Sequence, residues 1–170
     1  MEAKRARDSF AVLSSQVMPN DTNNHGTLFG GKLMMYVDNI AAIAANRHAR
    51  ELVVTASIDS VDFLRPIDTQ SSVCFEAFVT WTHNTSMEVF VKVIAENLRT
   101  GVRRLCTTCF LTFVALDDQG KPTTVPKIIP ESEEEKMLFS SAEKRYTQRK
   151  QRRGQAKAFT ERLSLNKPWA

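Results

Sequence analysis

The feature that most restricts the fold of this chain is a change of hydrophobic period near residue 50. From about Lys32 to His48 the apolar residues Leu33, Val37, Ile40, Ala41 and Ala44 recur at spacings of three and four, one face of a helix. From Leu52 onward the period is two. Val54–Leu64 is rich in β-branched residues and stops at Arg65-Pro66, where proline interrupts pairing. Ser72–Thr82 reads as a second strand and His83–Ser86 as a turn. In Met87–Ala95, Val89, Val91 and Val93 share one face, with Phe90, Lys92 and Ile94 on the other. Asn97–Gly101 turns the chain into a long strand, Val102–Leu116, which Asp117–Gly120 closes. A shorter strand, roughly Phe10–Val17, precedes the helix. One helix followed by strands in tight succession predicts an α+β fold, an antiparallel sheet whose inner face takes the helix. Phe75, Trp81, Phe90, Phe110 and Phe113 cannot all face one helix, and the surplus predicts an oligomer.

Composition narrows the class. At 170 residues one domain is expected, large enough to bury a core without disulfides or metals. The charged opening MEAKRARDSF reads as no signal peptide, and no window approaches the ~18 apolar residues a membrane span needs. Three cysteines give no disulfide framework and fit a reducing cytosol. A soluble, cytoplasmic protein is expected.

The net charge of +4 divides unevenly. Residues 144–170 carry nine of the 23 basic residues against the single acid Glu161, leaving 14 basic and 18 acidic residues in 1–143. A domain over 1–143 and a basic extension over 144–170, partly helical or disordered, are expected. Pro122, Pro126 and Pro130 space an extended connector after the last strand. Glu131 to about Arg153 reads as a helix, with acids in its first turn and bases in its last. The run KRYTQRKQRR reads as a solvated extension, as a grip on a phosphate-bearing ligand, or as a nonspecific nucleic-acid or lipid contact. The acidic body and the lack of an aromatic–basic pattern argue against a nucleic-acid protein.

The chemistry concentrates in Pro19–Ala42, PNDTNNHGTLFGGKLMMYVDNIAA. Asp38 stands on the helix with Met34, Met35, Ala41 and Ala42 three and four residues away, so burial is expected to push its pKa upward. Gly30-Gly31 opens the same helix, where unpaired backbone N–H groups point outward with no Cβ in the way. A general base or nucleophile at Asp38 beside oxyanion donors at Gly30 and Gly31 suits acyl transfer; the sequence does not separate the two roles. Structural readings stand beside these. Asp38 also reads as an acid paired elsewhere, Asn23 as an ordinary turn residue, and the glycines as a site of close packing.

The spaced run Pro19-x-Asp21-Thr22-Asn23-x-x-Gly26-x-x-x-Gly30-Gly31-x-Leu33-Met34-x-x-x-Asp38-x-x-Ala41 resembles the acyl-CoA hydrolases of the hotdog-fold superfamily. Val54-Thr55-Ala56-Ser57, Asp62-Phe63 before Pro66, and Thr85-Ser86-Met87-Glu88 extend the likeness over roughly residues 10–138. The resemblance implies a sheet wrapped around a long helix, a dimer with one continuous sheet, and a trimer of dimers. It also implies acyl-CoA hydrolysis to fatty acid and CoA, with Asn23 and Asp38 supplied by opposite subunits and no metal or redox cofactor. Ser86 and Arg65 become candidate CoA contacts; Arg suits phosphate, and Ser86 reads equally as a turn cap.

Other constellations are weaker. Cys106-x-x-Cys109 lies in an alternating strand, so its thiols are expected on opposite faces, unsuited to one metal. His25, His48 and His83 lack ligand spacing, with His25 in the loop near the candidate site. A hotdog module that senses acyl-CoA without cleaving it is the alternative function, and a hotdog dehydratase, which would want a histidine opposite the acid, a further rival.

Overall fold

A computed structural model describes residues 1–167 and Trp169. The chain opens with β1 (Lys4–Arg5) and β2 (Ala11–Gln16), followed by α1 (Gly30–Ala49). Strands β3 (Leu52–Phe63), β4 (Ser71–Thr82), β5 (Ser86–Asn97) and β6 (Arg103–Leu116) come next, then β7 (Ile128–Ile129) and α2 (Glu133–Thr160). The predicted strands and helices are all present. The pair β1–β7, a two-stranded parallel ribbon, was not expected.

β2 to β6 form one antiparallel sheet in the order β2-β4-β5-β6-β3. The buried side of α1 carries Leu33, Val37, Ile40, Ala41, Ala44 and Ala45, and its alanines let the helix lie close to the sheet. Opposite them, Phe75, Ala77, Val89, Val91, Val93, Leu111 and Phe113 are buried. At the far end of α1, His48 is buried with Nε2 2.9 Å from the Pro126 carbonyl and Nδ1 without a partner among the described residues. A carbonyl only accepts, so Nε2 holds the proton and donates it. Burial pushes this imidazole below its ordinary value of 6.5.

β3 is a sheet edge. It pairs only with β6, carries register shifts between Thr55 and Ser57 and between Ile58 and Ser60, and leaves Leu52, Val54, Ile58 and Phe63 exposed. A long apolar edge with unpaired backbone groups invites another strand.

α2 covers the outer face of the sheet. Ser132 caps it by accepting from the Glu135 N–H, and the Glu135 carboxylate accepts from the Ser132 N–H, a reciprocal capping box. Leu138, Ala142 and Arg149 are buried against the sheet. Arg145 reaches Glu88, 1 % exposed, through Nε at 3.0 Å and Nη2 at 2.7 Å, while its guanidinium lies 4.2 Å above the Phe110 ring. Arg149 and Arg152 reach Asp59 on β3 at 3.1 and 2.7 Å. Tyr146 packs on Trp81 with ring centroids 5.1 Å apart.

The helix expected from Glu131 to about Arg153 is present as α2, and three of the six bases in KRYTQRKQRR pair with acids on the sheet. Of the aromatic side chains that suggested an oligomer, Trp81 lies against Tyr146 and Phe110 against Arg145 of α2 in the same chain. Exposed apolar side chains include Leu52, Val54, Ile58 and Phe63 along the unpaired β3 edge. Among the described residues, no helix is long and apolar enough to cross a membrane.

Candidate active site

The loop before α1 is built around Asn23. Its Oδ1 accepts from the backbone N–H groups of His25 at 2.9 Å and Thr27 at 3.3 Å, and its Nδ2 donates to Thr27 Oγ1 at 3.0 Å. Gly26 takes φ +73° to let the chain turn back, and its N–H donates to the Asn23 carbonyl at 3.0 Å. Asn23 therefore shapes its own loop and keeps one amide N–H free.

The turn delivers the chain to an uncapped helix. Phe29 offers no side-chain cap, and the first intrahelical bond is from the Leu33 N–H to the Phe29 carbonyl at 3.0 Å. The N–H groups of Gly30, Gly31 and Lys32 have no acceptor among the described residues. Such donors at a helix N-terminus attract negative charge. Gly30 borders a cavity of about 340 Å3 that Asn23, Leu28, Leu33, Arg65 and Thr107 also line. A Cβ on Gly31 would lie 2.4 Å from Cε1 of Phe29, so a side chain there would displace that ring.

Asp38 is elsewhere. It sits eight residues, about 12 Å, along α1 from Gly30 at 1.5 Å per residue. It is half-buried and does not line the cavity. One carboxylate oxygen accepts from Thr55 Oγ1 at 2.8 Å. The acid expected on a wholly apolar face thus has a partner, supplied by β3. No Lys or Arg pairs with it among the described residues.

The candidate residues therefore fall into two groups at opposite ends of β3. Asp38 and Thr55 stand near its start. Asn23, Gly30 and Arg65 surround the cavity near its end, with Gly31 one residue beyond on α1. Arg65 Nη1 donates to the Leu105 carbonyl at 2.9 Å. Ser86 opens β5 opposite Val114, and its carbonyl accepts from the His83 N–H at 2.9 Å. Alternation puts its side chain on the face of Glu88 and Phe90, away from α1, so the single chain does not bring Ser86 to the cavity. His25 is exposed. Two residues of this region escaped the sequence reading of roles: Thr55, quoted only within the Val54–Ser57 likeness, and Thr107, which carried no signal.

Cys74, Cys106 and Cys109 are free thiols, and burial, with Asp62 nearby, pushes Cys109 up to about 12. A thiol held protonated is neither nucleophile nor metal ligand. Among the described residues no three His, Cys, Asp or Glu side chains converge as a metal site.

Comparison with known proteins meets this geometry. Residues 25–102 match the thioesterase superfamily. An uncharacterised acyl-CoA thioester hydrolase of Bacillus subtilis is 55% identical, the match covering 99% of this chain and 98% of that one. A hexameric acyl-CoA thioesterase aligns with TM-score 0.87 and 47% identity over 89% of this chain and 97% of its own. An acyl-CoA hydrolase of Staphylococcus aureus, solved with butyryl coenzyme A and coenzyme A, aligns with TM-score 0.91 and 44% identity over 95% and 98%. Variants of the Staphylococcus enzyme replace an Asn, an Asp and a Thr by alanine, separated there by 15 and 17 positions. Asn23, Asp38 and Thr55 have that same spacing here. Sequence, fold and full-length relatives agree: the chain belongs to the hotdog-fold acyl-CoA thioester hydrolases of the thioesterase superfamily and is a thioester hydrolase.

Proposed function

We propose that the protein hydrolyses fatty acyl-CoA to free acid and CoA at a site shared by two subunits. Asp38 of one subunit faces Asn23 and the Gly30 and Gly31 amides of the other. The observation that carries this reading is the separation of the two groups along β3 within one chain. Antiparallel pairing of β3 with its own copy about a two-fold axis sets the Thr55 end of one strand beside the Phe63 end of the other. Each cavity then receives the partner's carboxylate, and the exposed β3 edge becomes the seam. The hexameric relative supports assembly of such dimers in threes, and the CoA-bound relative supports CoA as the leaving group.

The chemistry follows from these groups. Asp38 takes a proton from water as the water oxygen attacks the thioester carbonyl carbon. The free Gly30 and Gly31 N–H groups stabilise the tetrahedral oxyanion, and the free Asn23 N–H orients water or carbonyl. As the C–S bond breaks, the proton returns from Asp38 to the departing sulfur. Thr55 holds the second carboxylate oxygen. Arg65 on the rim suits a CoA phosphate, with Ser86 the weaker CoA contact. The reaction calls for no metal or redox cofactor, and three free cysteines suit a reducing cytoplasm.

Free-thiol release from a panel of acyl-CoAs tests the reading. Turnover that falls about 10²–10⁴-fold in Asp38→Asn, with the fold intact, supports it. Binding of acyl-CoA without hydrolysis by the unaltered protein would instead identify a sensor. Single-turnover hydrolysis in ¹⁸O water separates the roles of Asp38: label in the product acid alone fits a general base, label in Asp38 a nucleophile.

A further inference from the structure

The cavity beside the α1 N-terminus has a polar group at its floor that hydrolysis, as described, leaves unused. Thr107 is fully buried there, and its Oγ1 has no hydrogen-bond partner among the described residues. A hydroxyl can donate once and accept twice, and buried ones are normally paired. Leu28, Leu33 and Ile67 are buried in the walls and Phe63 lines the same space, with Asn23, Thr27 and Arg65 as the other polar side chains of the cavity.

The backbone holds this hydroxyl against the cavity wall. In the β5–β6 register Val93 faces Thr107 and Ile94 faces Leu105, so Cys106 bulges from the ladder between them. The Cys106 carbonyl accepts from the N–H groups of Leu64 at 2.8 Å and Arg65 at 3.2 Å. Arg65 returns its own bond to the Leu105 carbonyl. One bulge thus fixes Thr107 and the Leu64–Arg65 wall together.

We propose that this cavity takes the acyl end of the thioester, and that Thr107 Oγ1 hydrogen-bonds an oxygen carried on the chain beyond the thioester carbon. The preferred substrates are then hydroxyacyl- or oxoacyl-CoA esters rather than plain alkanoyl esters of the same length. The proposal rests on the thioesterase site above and narrows its substrate. An apolar chain reaching the floor leaves the hydroxyl unpaired, whereas an oxygen there pairs it; sites that hydrogen-bond a substrate oxygen discriminate strongly against analogues lacking one.

The test is thiol release by the full chain and its Thr107→Val and Thr107→Ser variants from butanoyl-, 3-hydroxybutanoyl-, 3-oxobutanoyl- and hexanoyl-CoA. The unaltered protein should favour an oxygenated ester over butanoyl-CoA by about tenfold or more in kcat/KM. Thr107→Val should bring that ratio close to one and raise Tm, while Thr107→Ser keeps the ratio. Equal kcat/KM for plain and oxygenated esters in the unaltered protein overturns the proposal and leaves the thioesterase reading standing. So does a ratio unchanged by Thr107→Val, or a uniform rise in KM for every ester, which would put the hydroxyl on the CoA arm. No hydrolysis of any ester by the unaltered protein overturns both.

Discussion

The two helices of this protein treat their N-termini in opposite ways. α2 begins with Ser132 and Glu135 exchanging hydrogen bonds with the first-turn backbone, and acids at Glu133 and Glu134 complement its dipole. α1 begins at Gly30-Gly31 with no cap, beside a cavity. The same contrast holds for their charged side chains. Glu88 and Asp59, which α2 covers, are matched by Arg145, Arg149 and Arg152, whereas Asp38 on α1 has one hydroxyl partner and no cation. Under α2 the chain matches its buried acids with arginines; at the start of α1 it leaves valences open for a ligand.

That contrast can be broken from either side. The largest effect is expected at Asp38: Asp38→Asn should lower kcat about 10²–10⁴-fold while Tm stays nearly constant, read by thiol release and thermal melting together. Glu88→Gln should do the reverse. It removes the buried partner of Arg145 and costs about 3–5 kcal/mol in denaturant unfolding, with kcat per folded molecule preserved. A cap transplanted to α1 is the sharpest intermediate case. In Phe29→Ser the hydroxyl accepts from the first-turn N–H groups, so stability should rise by about 1 kcal/mol as kcat falls by up to about 10²-fold. Its mirror, Ser132→Ala, should cost about 1 kcal/mol and leave kcat alone.

The smallest effect concerns acid. His48 is neutral in the folded protein and its pKa there is depressed, so the unfolded chain binds a proton that the native state does not. Stability should therefore decline as pH falls through the ordinary imidazole value of 6.5 and keep declining toward the lower folded value. Chemical denaturation between pH 8 and 5, compared with His48→Gln, reads this difference; equal pH slopes in both proteins would rule it out.

Much of the fold was legible because it is written in local periods. Leu33, Val37, Ile40 and Ala44 mark α1 through spacing alone, and Val89, Val91 and Val93 mark the inner face of β5. The route of α2 was not legible, because Arg145 and Arg149 find Glu88 and Asp59 at separations of 57 and 90 residues, which no local pattern records. That pairing turned an expected solvated tail into a docked helix as far as Arg152. The bulge at Cys106 was equally hidden, since the two-residue period runs through it, and with it went Thr107. In the candidate site, the spacing of Asn23, Gly30 and Asp38 was visible, but Thr55 as the partner of Asp38 required knowing that β3 runs back along α1 to its third turn.

The central claim is that Asp38 and Asn23 work together across two subunits, and mixing tests it most directly. Asp38→Asn and Asn23→Ala proteins, each nearly inactive alone, are unfolded together and refolded as mixed oligomers. Random pairing makes half of the dimers mixed, each with one intact site, so recovery of about a quarter of the original turnover is expected. Turnover no higher than that of the two variants measured separately would mean that both side chains must come from one chain, and would contradict the account.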